Sequence, residues 1–214
     1  MLKVKQFIFN PFGVCTYVVS DEVTHDAIIV DPGMDSPDEE RRLNDYIETN
    51  GLKVTGIVNT HLHLDHCFGV NSVKNRYGVK LSAHPGDAAL GRKIAVQAMR
   101  FGLSDERKPV EIDVELHDGD TIRVGDETLQ VLGIPGHSPG GIALYSASGK
   151  FVLTGDSLFQ HSIGRTDLEG GDLRALVEGV REKLLTLPGD TLVLPGHGPA
   201  TTVAEECSQN PFVR

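Results

Sequence analysis

Hydrophobic and polar positions alternate in short runs at the start of the chain, and this period of two is typical of β-strands. It predicts strands at 3–9, 14–20 and 27–31. A helical pattern follows, with apolar residues at Leu43, Tyr46 and Ile47. Ser36 is placed to cap this helix with Glu39 completing a capping box, and Gly51 is placed to end it.

Predicted strands and helices continue to alternate along the rest of the chain. Apolar runs predict strands at 54–59, 79–83, 121–124, 128–134, 142–146, 151–154 and 191–194. Helical periodicity is found at 70–77 and 172–187, residues 85–108 indicate loop plus helix, and a short helix closes the chain. This order favours an α/β fold with two sheets packed face to face and helices outside. No linker divides the chain, so we expect a single domain over 1–214.

Composition narrows the class of protein. The 214 residues are 39% hydrophobic and 23% charged, which is typical of a globular protein. A net charge of −10 disfavours nucleic acid and anionic membranes as partners. The N-terminus has no uninterrupted apolar run of the kind found in secretory signals, and no segment is apolar enough to span a bilayer. Three sparse cysteines, Cys15, Cys67 and Cys207, indicate free thiols and a cytoplasmic location.

The segment His61-x-His63-x-Asp65-His66 carries the strongest chemical signal. It places four metal-ligand side chains within six residues, directly after the strand predicted at 54–59. A tight loop lets His61 and His63 reach one centre while Asp65 and His66 reach an adjacent one. Imidazole and carboxylate are ligands that zinc, iron and manganese accept, so the segment predicts a metal site.

Three later strands end in loops with the same kind of side chain: His137, Asp156 and His197. Together with the first motif they offer seven ligands, which exceeds the need of one ion and suits two ions that share a carboxylate. Asp156 is the predicted bridge because it is the acid in these later loops that follows a glycine. The alternative, a set of hydrogen-bonded core histidines, does not explain seven such residues at strand ends.

Other polar residues have less specific interpretations. Arg165, in Gly164-Arg165-Thr166-Asp167, either holds a substrate carboxylate or pairs with Asp167. Cys67 is expected to be a buried free thiol rather than a ligand. Four further histidines are interpreted as surface residues: His25, His84, His117 and His161. Three residues could orient ligating imidazoles through hydrogen bonds: Asp31, Thr60 and Ser138.

These motifs, in this order, resemble those of the metallo-β-lactamase superfamily and, within it, the glyoxalase II group. The matching segments are His61 to His66, Gly136-His137-Ser138-Pro139-Gly140, Gly155-Asp156-Ser157-Leu158-Phe159 and Pro195-Gly196-His197-Gly198-Pro199. The resemblance implies a four-layer αββα sandwich. It implies a first metal on His61, His63 and His137. It implies a second metal on Asp65, His66 and His197, with Asp156 between them.

The same resemblance implies a hydrolase that cleaves S-lactoylglutathione or a related small-molecule acyl thioester. Two divalent ions, with zinc expected and iron or manganese as alternatives, would activate the attacking water. Asp65 and Asp156 are the carboxylates of this catalytic centre, and Arg165 is the candidate for substrate binding. Full-length glyoxalase II adds a helical extension with basic residues that hold glutathione. Here 17 residues follow His197, and Arg214 is the one basic residue among them. Because few basic residues are available to hold the carboxylates of glutathione, we expect weak hydrolysis of S-lactoylglutathione.

Other members of the superfamily are alternatives. Persulfide dioxygenases share the first motif and a Gly-Arg-Thr-Asp segment like residues 164–167, and they bind one iron through two histidines and one aspartate. They are therefore the main alternative. The resemblance to two-zinc β-lactamases is weaker at His66 and Asp156, and lactonases use a tyrosine after the bridging aspartate, whereas Tyr145 is the last tyrosine here. A non-catalytic metal-binding protein is disfavoured because closed structural sites use four ligands. The sequence predicts no oligomeric state.

Overall fold

The strands of this computed structural model, which describes residues 1–104 and 106–213, form two six-stranded sheets and one small hairpin. The first sheet contains, in spatial order, β1 (Leu2–Phe9), β2 (Val14–Asp21), β3 (Asp26–Val30), β4 (Lys53–Val58), β5 (Leu81–Ala83) and β6 (Val114–Glu115). The strands β1 to β3 pair antiparallel, and β3 to β6 pair parallel.

The second sheet has its strands in the order β14 (Thr201–Thr202), β13 (Leu192–Pro195), β10 (Phe151–Gly155), β9 (Ile142–Ser146), β8 (Glu127–Gly133) and β7 (Thr121–Val124). Strands β10 and β13 are parallel, and β9 runs antiparallel to both β8 and β10. The carboxyl ends of β8, β10 and β13 therefore meet at one edge. The hairpin is β11 (Leu158–Phe159) with β12 (Ser162–Ile163).

The helices are α1 (Pro37–Thr49), α2 (Val70–Tyr77), α3 (Ala88–Arg92), α4 (Ile94–Arg100), α5 (Leu173–Gly179) and α6 (Val203–Gln209). Leu64–His66 and Pro85–Asp87 form 3₁₀ turns, and a π-helical turn, Val180–Leu184, extends α5. Among the described residues, no helix is long and apolar enough to cross a bilayer.

Helix α1 begins as its sequence predicts, with one difference. The Ser36 side chain accepts a hydrogen bond from the Glu39 backbone N–H, and Gly51 follows the helix with a left-handed φ of 61°. The Glu39 carboxylate does not complete the capping box at Ser36. It accepts instead from the backbone N–H groups of Asn10 and Asp35, at 2.7 Å each. The helix start is thereby tied to the turn after β1.

Three apolar clusters separate four layers. Leu43 and Ile47 of α1 and Val70 and Val73 of α2 pack against the outer face of the first sheet. The inner faces of the two sheets meet through buried residues that include Val19, Ile28, Leu129, Leu144 and Leu153. Leu176, Val180 and Leu184 cover the other face of the second sheet. The predicted αββα sandwich is confirmed.

The two-residue strands β6, β11, β12 and β14 were not predicted, because two residues show no periodicity. Where β4 ends, the backbone N–H of Ile142, at the start of β9, donates to the carbonyl oxygen of Thr60 at 2.9 Å. This contact places the loop after β4 at the same edge as the loops after β8, β10 and β13.

Candidate metal centre

All seven predicted ligands lie together at this edge, six of them in two groups of three and Asp156 between the groups. One ligand atom from each of His61, His63 and His137 lies within 4.8 Å of the other two, and all three residues are buried. Asp65, His66 and His197 form a second group with the same spacing, in which His197 is half-buried. Since these residues follow four different strands, the fold itself assembles both groups.

Asp156 lies between the two groups. Its Oδ2 is 3.5 Å from His137 Nε2 in the first group and 3.7 Å from His197 Nε2 in the second. Its Oδ1 is 3.4 Å from His66 Nε2. Within the second group, Asp65 Oδ2 lies 3.2 Å from His197 Nε2 and 3.7 Å from His66 Nε2. One carboxylate therefore faces nitrogen atoms of both groups.

The outer ring nitrogens of four histidines are held by hydrogen bonds. His61 Nδ1 donates to Thr60 Oγ1 at 3.1 Å, because the Thr60 hydroxyl itself donates to Asp31 Oδ2 at 2.6 Å. His66 Nδ1 donates to the same Asp31 oxygen at 3.0 Å. His137 Nδ1 donates to the Arg165 carbonyl oxygen, and His197 Nδ1 to that of Phe12. These contacts turn each Nε2 toward the cluster, where it offers a lone pair to a cation once it carries no proton.

Several nitrogen and oxygen atoms inside the cluster have no hydrogen-bond partner in the part of the chain that the structure describes and could therefore bind a cation. Among the described residues, the buried atoms His61 Nε2, His66 Nε2 and Asp156 Oδ1 have no hydrogen-bond partner. Buried polar atoms are normally paired, because leaving one unpaired costs roughly 1–3 kcal/mol. His63 Nδ1 also lies 2.8 Å from His137 Nε2, a hydrogen-bond distance at which one of the two ring nitrogens carries the proton while no cation is bound. The His/Asp cluster is therefore capable of binding metal ions, and its donor set fits zinc, iron or manganese.

The local electrostatics favour ligating protonation states at most positions. Burial lowers the pKa of His63 to about 3 and holds the pKa of His61 well below its ordinary value. Burial opposes the ionised form of Asp156, but His66 and the other imidazoles hold the pKa of that carboxyl well below its usual range. His66 and His197 are different. The Asp65, Asp156 and Asp31 carboxylates outweigh the burial of His66 and raise its pKa. Asp65 and Asp156 also raise the pKa of His197 against its burial, so a cation binding at these two histidines displaces protons.

Two of the three predicted orienting residues contact ligands, and the third does not. Asp31 accepts from His66 and from both the backbone N–H and the hydroxyl of Thr60. Ser138, expected to orient an imidazole, donates instead to Asp87 Oδ2 at 2.8 Å. Ser138 therefore anchors the loop that carries His137 and does not orient an imidazole ring, because its hydroxyl faces the 3₁₀ turn Pro85–Asp87.

Asp87 is a buried residue that sequence reasoning missed. Its carboxylate accepts from Leu62 N at 3.0 Å, Ser138 Oγ at 2.8 Å and Gly140 N at 2.6 Å. It thereby ties the loop of His61 and His63 to the loop of His137. Burial raises its pKa. The sequence offered one signal, an acid directly after His84-Pro85-Gly86, but no local pattern shows which loops it joins.

Two glycines bring the Asp156 loop close to its neighbours. Gly155 has a left-handed φ of 51°, and a Cβ there would collide with Thr60. A Cβ at Gly196 would collide with the Asp156 carboxylate and the His66 ring. Both positions therefore require glycine for the strand ends to approach the ligands.

The remaining sequence interpretations have mixed outcomes. His25, His117 and His161 are exposed as predicted, whereas His84 is half-buried and accepts from the Gly86 backbone N–H. Cys67 is a buried free thiol, Cys15 is buried and free, and Cys207 is exposed. Arg165 pairs with Asp167 through two contacts of 2.7 Å. Arg214 lies outside the described residues.

A cavity of about 350 Å³ opens beside the cluster. The ligands His63, Asp65, His137, Asp156 and His197 form one wall, and side chains of α3, α4 and the segment between them form another. Arg165 lines the cavity although it is paired with Asp167. Two further cations, Lys93 and Arg100, line it as well. The sequence interpretation overlooked both of them.

Sequence comparison assigns this architecture to a family. A profile of the metallo-beta-lactamase superfamily matches residues 10–197, which contain all seven clustered histidines and aspartates. The chain belongs to this superfamily. The crystal structure entitled BLEG-1 B3 metallo-beta-lactamase superimposes with a TM-score of 0.87 at 32% identity, covering 99% of both chains. That of TTHA1623 in a di-iron-bound form gives 0.85 at 35% identity, covering 97% of this chain and 99% of the other.

Curated relatives carry two different activities in their names. The hydroxyacylglutathione hydrolase GloC of Haemophilus influenzae is 35% identical over 93% of this superfamily member and 92% of GloC. The mitochondrial persulfide dioxygenase ETHE1 of Homo sapiens is 32% identical over 92% of this chain and 70% of ETHE1. Both the expected hydrolase and the main alternative are thus represented among similar proteins.

Proposed function

We propose that this metallo-β-lactamase superfamily member is a thioester hydrolase of the glyoxalase II type that uses two divalent ions. The position of Asp156, within 3.4–3.7 Å of nitrogen atoms from both histidine groups, carries the proposal. A carboxylate in that position suits a bridge between two ions. The similarity to GloC supports the choice of a thioester as the small-molecule substrate.

The proposed ligands are His61, His63 and His137 for one ion and Asp65, His66 and His197 for the other. Two such ions, when bound, lower the pKa of water and polarise a carbonyl group. Zinc is the expected metal, and the di-iron form of TTHA1623 supports iron as an alternative.

The chain's own residues set the geometry of that chemistry. Asp31 and Thr60 hold His61 and His66 in the tautomers that leave Nε2 free. Asp156 and Asp65 supply negative charge that offsets the ions. A thiolate leaves readily because its pKa is moderate, so the mechanism requires no strong general acid beside the sulfur.

A persulfide dioxygenase is the second candidate, supported by the similarity to ETHE1. That chemistry uses one iron held by two histidines and one aspartate, and it consumes oxygen. It leaves several of the clustered ligands here without a role, which is why we rank it second.

Metal stoichiometry tests the proposal together with the residue that carries it. We expect elemental analysis of the metal-saturated protein to give two ions per chain. Asp156→Ala removes the shared carboxylate, and we expect both ions to be lost together with thioesterase activity. His117→Ala, at an exposed histidine, is the control and should retain both. A stoichiometry of one ion in the wild type would contradict the two-ion proposal.

A substrate panel separates the candidate activities. Thioester hydrolysis without oxygen uptake is the result we expect from the reconstituted enzyme. Thiol-persulfide-dependent oxygen consumption, measured with an oxygen electrode, would instead favour the dioxygenase. Nitrocefin belongs in the panel because of the similarity to BLEG-1, and its hydrolysis at a rate above that of thioesters would overturn the proposal.

A further inference from the structure

The cavity beside the cluster has one wall that the metal chemistry does not use. Leu90 lies on α3, Val96 lies on α4 and Phe101 directly follows α4, and all three line the cavity together with five of the candidate ligands. Val96 and Phe101 are 42% and 47% exposed, although both are large apolar side chains. The ring of Phe12 meets that of Phe101 edge-on at 5.4 Å between centroids. Adjacent exposed apolar groups beside a polar cluster are typical of a binding surface for an apolar ligand.

Two cations in the wall of the same cavity share one carboxylate. Lys93 Nζ lies 2.6 Å from Glu169 Oε1, and the Arg100 guanidinium lies 3.7 Å from Glu169 Oε2. These three side chains together carry a charge of +1, in a chain of net charge −10. Arg165 does not add to this surplus, because Asp167 holds its guanidinium through two contacts.

Gln97 fixes the position of this wall relative to the ligands. It is 8% exposed, and its amide accepts from Leu64 N and donates to the carbonyl oxygens of Leu62 and Leu90. Leu62 and Leu64 lie within the His61 to His66 loop. Lys93, Gln97 and Arg100 are spaced as neighbours on one helical face. Gln97 therefore fixes the position of the segment that carries the two cations relative to the proposed metal site.

We propose that this cavity, lined by Leu90, Lys93, Val96, Arg100 and Phe101 and called the groove from here on, selects particular thioesters. They combine an apolar arm with an anionic group. Lys93 and Arg100 bind the anion, and Val96 and Phe101 pack against the arm. The assignment rests on the proposed thioesterase function for its reaction, but not for its binding chemistry. It also replaces the expectation that Arg165 is the group that binds substrate.

Paired substrates test the anion. S-hexanoyl-3-mercaptopropionate carries a carboxylate, and its primary amide has the same size without the charge. We expect kcat/KM to be at least tenfold higher for the acid than for the amide in the wild type. The double variant Lys93→Met with Arg100→Met should lose most of this preference, because its kcat/KM for the acid falls toward its value for the amide. The matched control is Arg92→Met, at an exposed residue of α3 that is not part of the cavity wall.

Two further comparisons make the test specific. Glu169→Gln releases both cations from their shared partner, so we expect a lower KM for the acid and an unchanged KM for the amide. Hexanoyl-coenzyme A tests whether a phosphate can serve as the anion. If it does, kcat/KM for this substrate falls in the double variant as it does for the acid. Shortening the acyl arm should lower kcat/KM roughly three- to fourfold per methylene in the wild type, and less in Phe101→Ala.

A binding measurement separates this proposal from the proposed function. S-hexyl-3-mercaptopropionate is a thioether that cannot be hydrolysed, and calorimetry reports its affinity without turnover. Binding that depends on Lys93 and Arg100, in a protein that hydrolyses no thioester, supports the groove and overturns the thioesterase. Equal hydrolysis of the acid and the amide by the wild type overturns the groove and leaves the thioesterase intact.

Discussion

At the scale of single residues, the Asp31 carboxylate connects two of the candidate metal-binding histidines. It receives hydrogen bonds from His66 Nδ1, Thr60 N and Thr60 Oγ1, and through Thr60 it also sets the orientation of His61. Asp31 has a left-handed φ of 50°, which aspartate and asparagine tolerate better than most residues. Its role is therefore to hold one histidine of each proposed site.

Asp31→Asn tests this role with little change in shape. One acceptor oxygen becomes an amide group that cannot accept from His66 or Thr60, while the backbone conformation remains accessible. We expect metal affinity to fall roughly 10- to 100-fold, as is common when a residue that orients a ligand is lost. Competition titration with a chelator measures it, and His117→Ala is the control. Unchanged affinity in Asp31→Asn would show that the hydrogen bonds do not tune the site.

Residue types and spacing were sufficient to predict which side chains cluster at the sheet edge, because each follows a recognisable strand. They also predicted that Asp31 and Thr60 orient imidazoles. They did not predict Asp87, since its three partners come from loops that are far apart in the sequence. Ser138 was assigned to the wrong partner for the same reason: its neighbour in space, Asp87, is 51 residues away along the chain.

At the scale of elements, the 3₁₀ turn Pro85–Asp87 connects two loops that bear ligands. Asp87→Asn places an amide N–H₂ among three donors, so at least one buried donor loses its acceptor. We expect a loss of about 2–4 kcal/mol in the free energy of unfolding, since hydrogen bonds to a charged group contribute roughly 1.5–3 kcal/mol each. Urea denaturation measures this loss.

Asp190→Asn provides the matched control for that measurement. Asp190 is exposed and pairs with Lys150 at the surface, where ion pairs contribute little. Its variant should unfold at the same urea concentration as the wild type. If Asp87→Asn behaved in the same way, the connection between the two loops would not contribute to stability.

The element pattern was predictable where periodicity was long, as in α1, α2 and the strands of both sheets. Between residues 85 and 108 the sequence predicted loop plus helix without bounds, and the structure has two short helices there, α3 and α4. The signal for Lys93 and Arg100 was their spacing on one helical face with Gln97. Periodicity alone could not show that this face turns toward the metal ligands, because Gln97 makes the connection through Leu62, Leu64 and Leu90.

At the scale of the whole molecule, the proposed ions would join the two sheets. The His61 to His66 loop follows β4 of the first sheet, whereas His137, Asp156 and His197 follow β8, β10 and β13 of the second. Protein contacts already span this boundary, since Cys15 N of β2 donates to the Gly196 carbonyl oxygen at 2.7 Å. Bound ions would add bonds across the same boundary that exist only in the folded state.

Metal removal should therefore lower thermal stability. A ligand at one hundred times its Kd stabilises the folded state by about 2.7 kcal/mol, so two ions contribute about 5 kcal/mol. For a chain of this size that corresponds to a fall in Tm of roughly 10–20 °C after chelation, measured by calorimetry. Asp156→Ala, which lacks the shared carboxylate, should already have the lower Tm and respond little to the chelator. An equal response in both proteins would show that the ions are held without Asp156, whereas a wild-type Tm that ignores chelation would show that metal binding does not stabilise the packing of the two sheets.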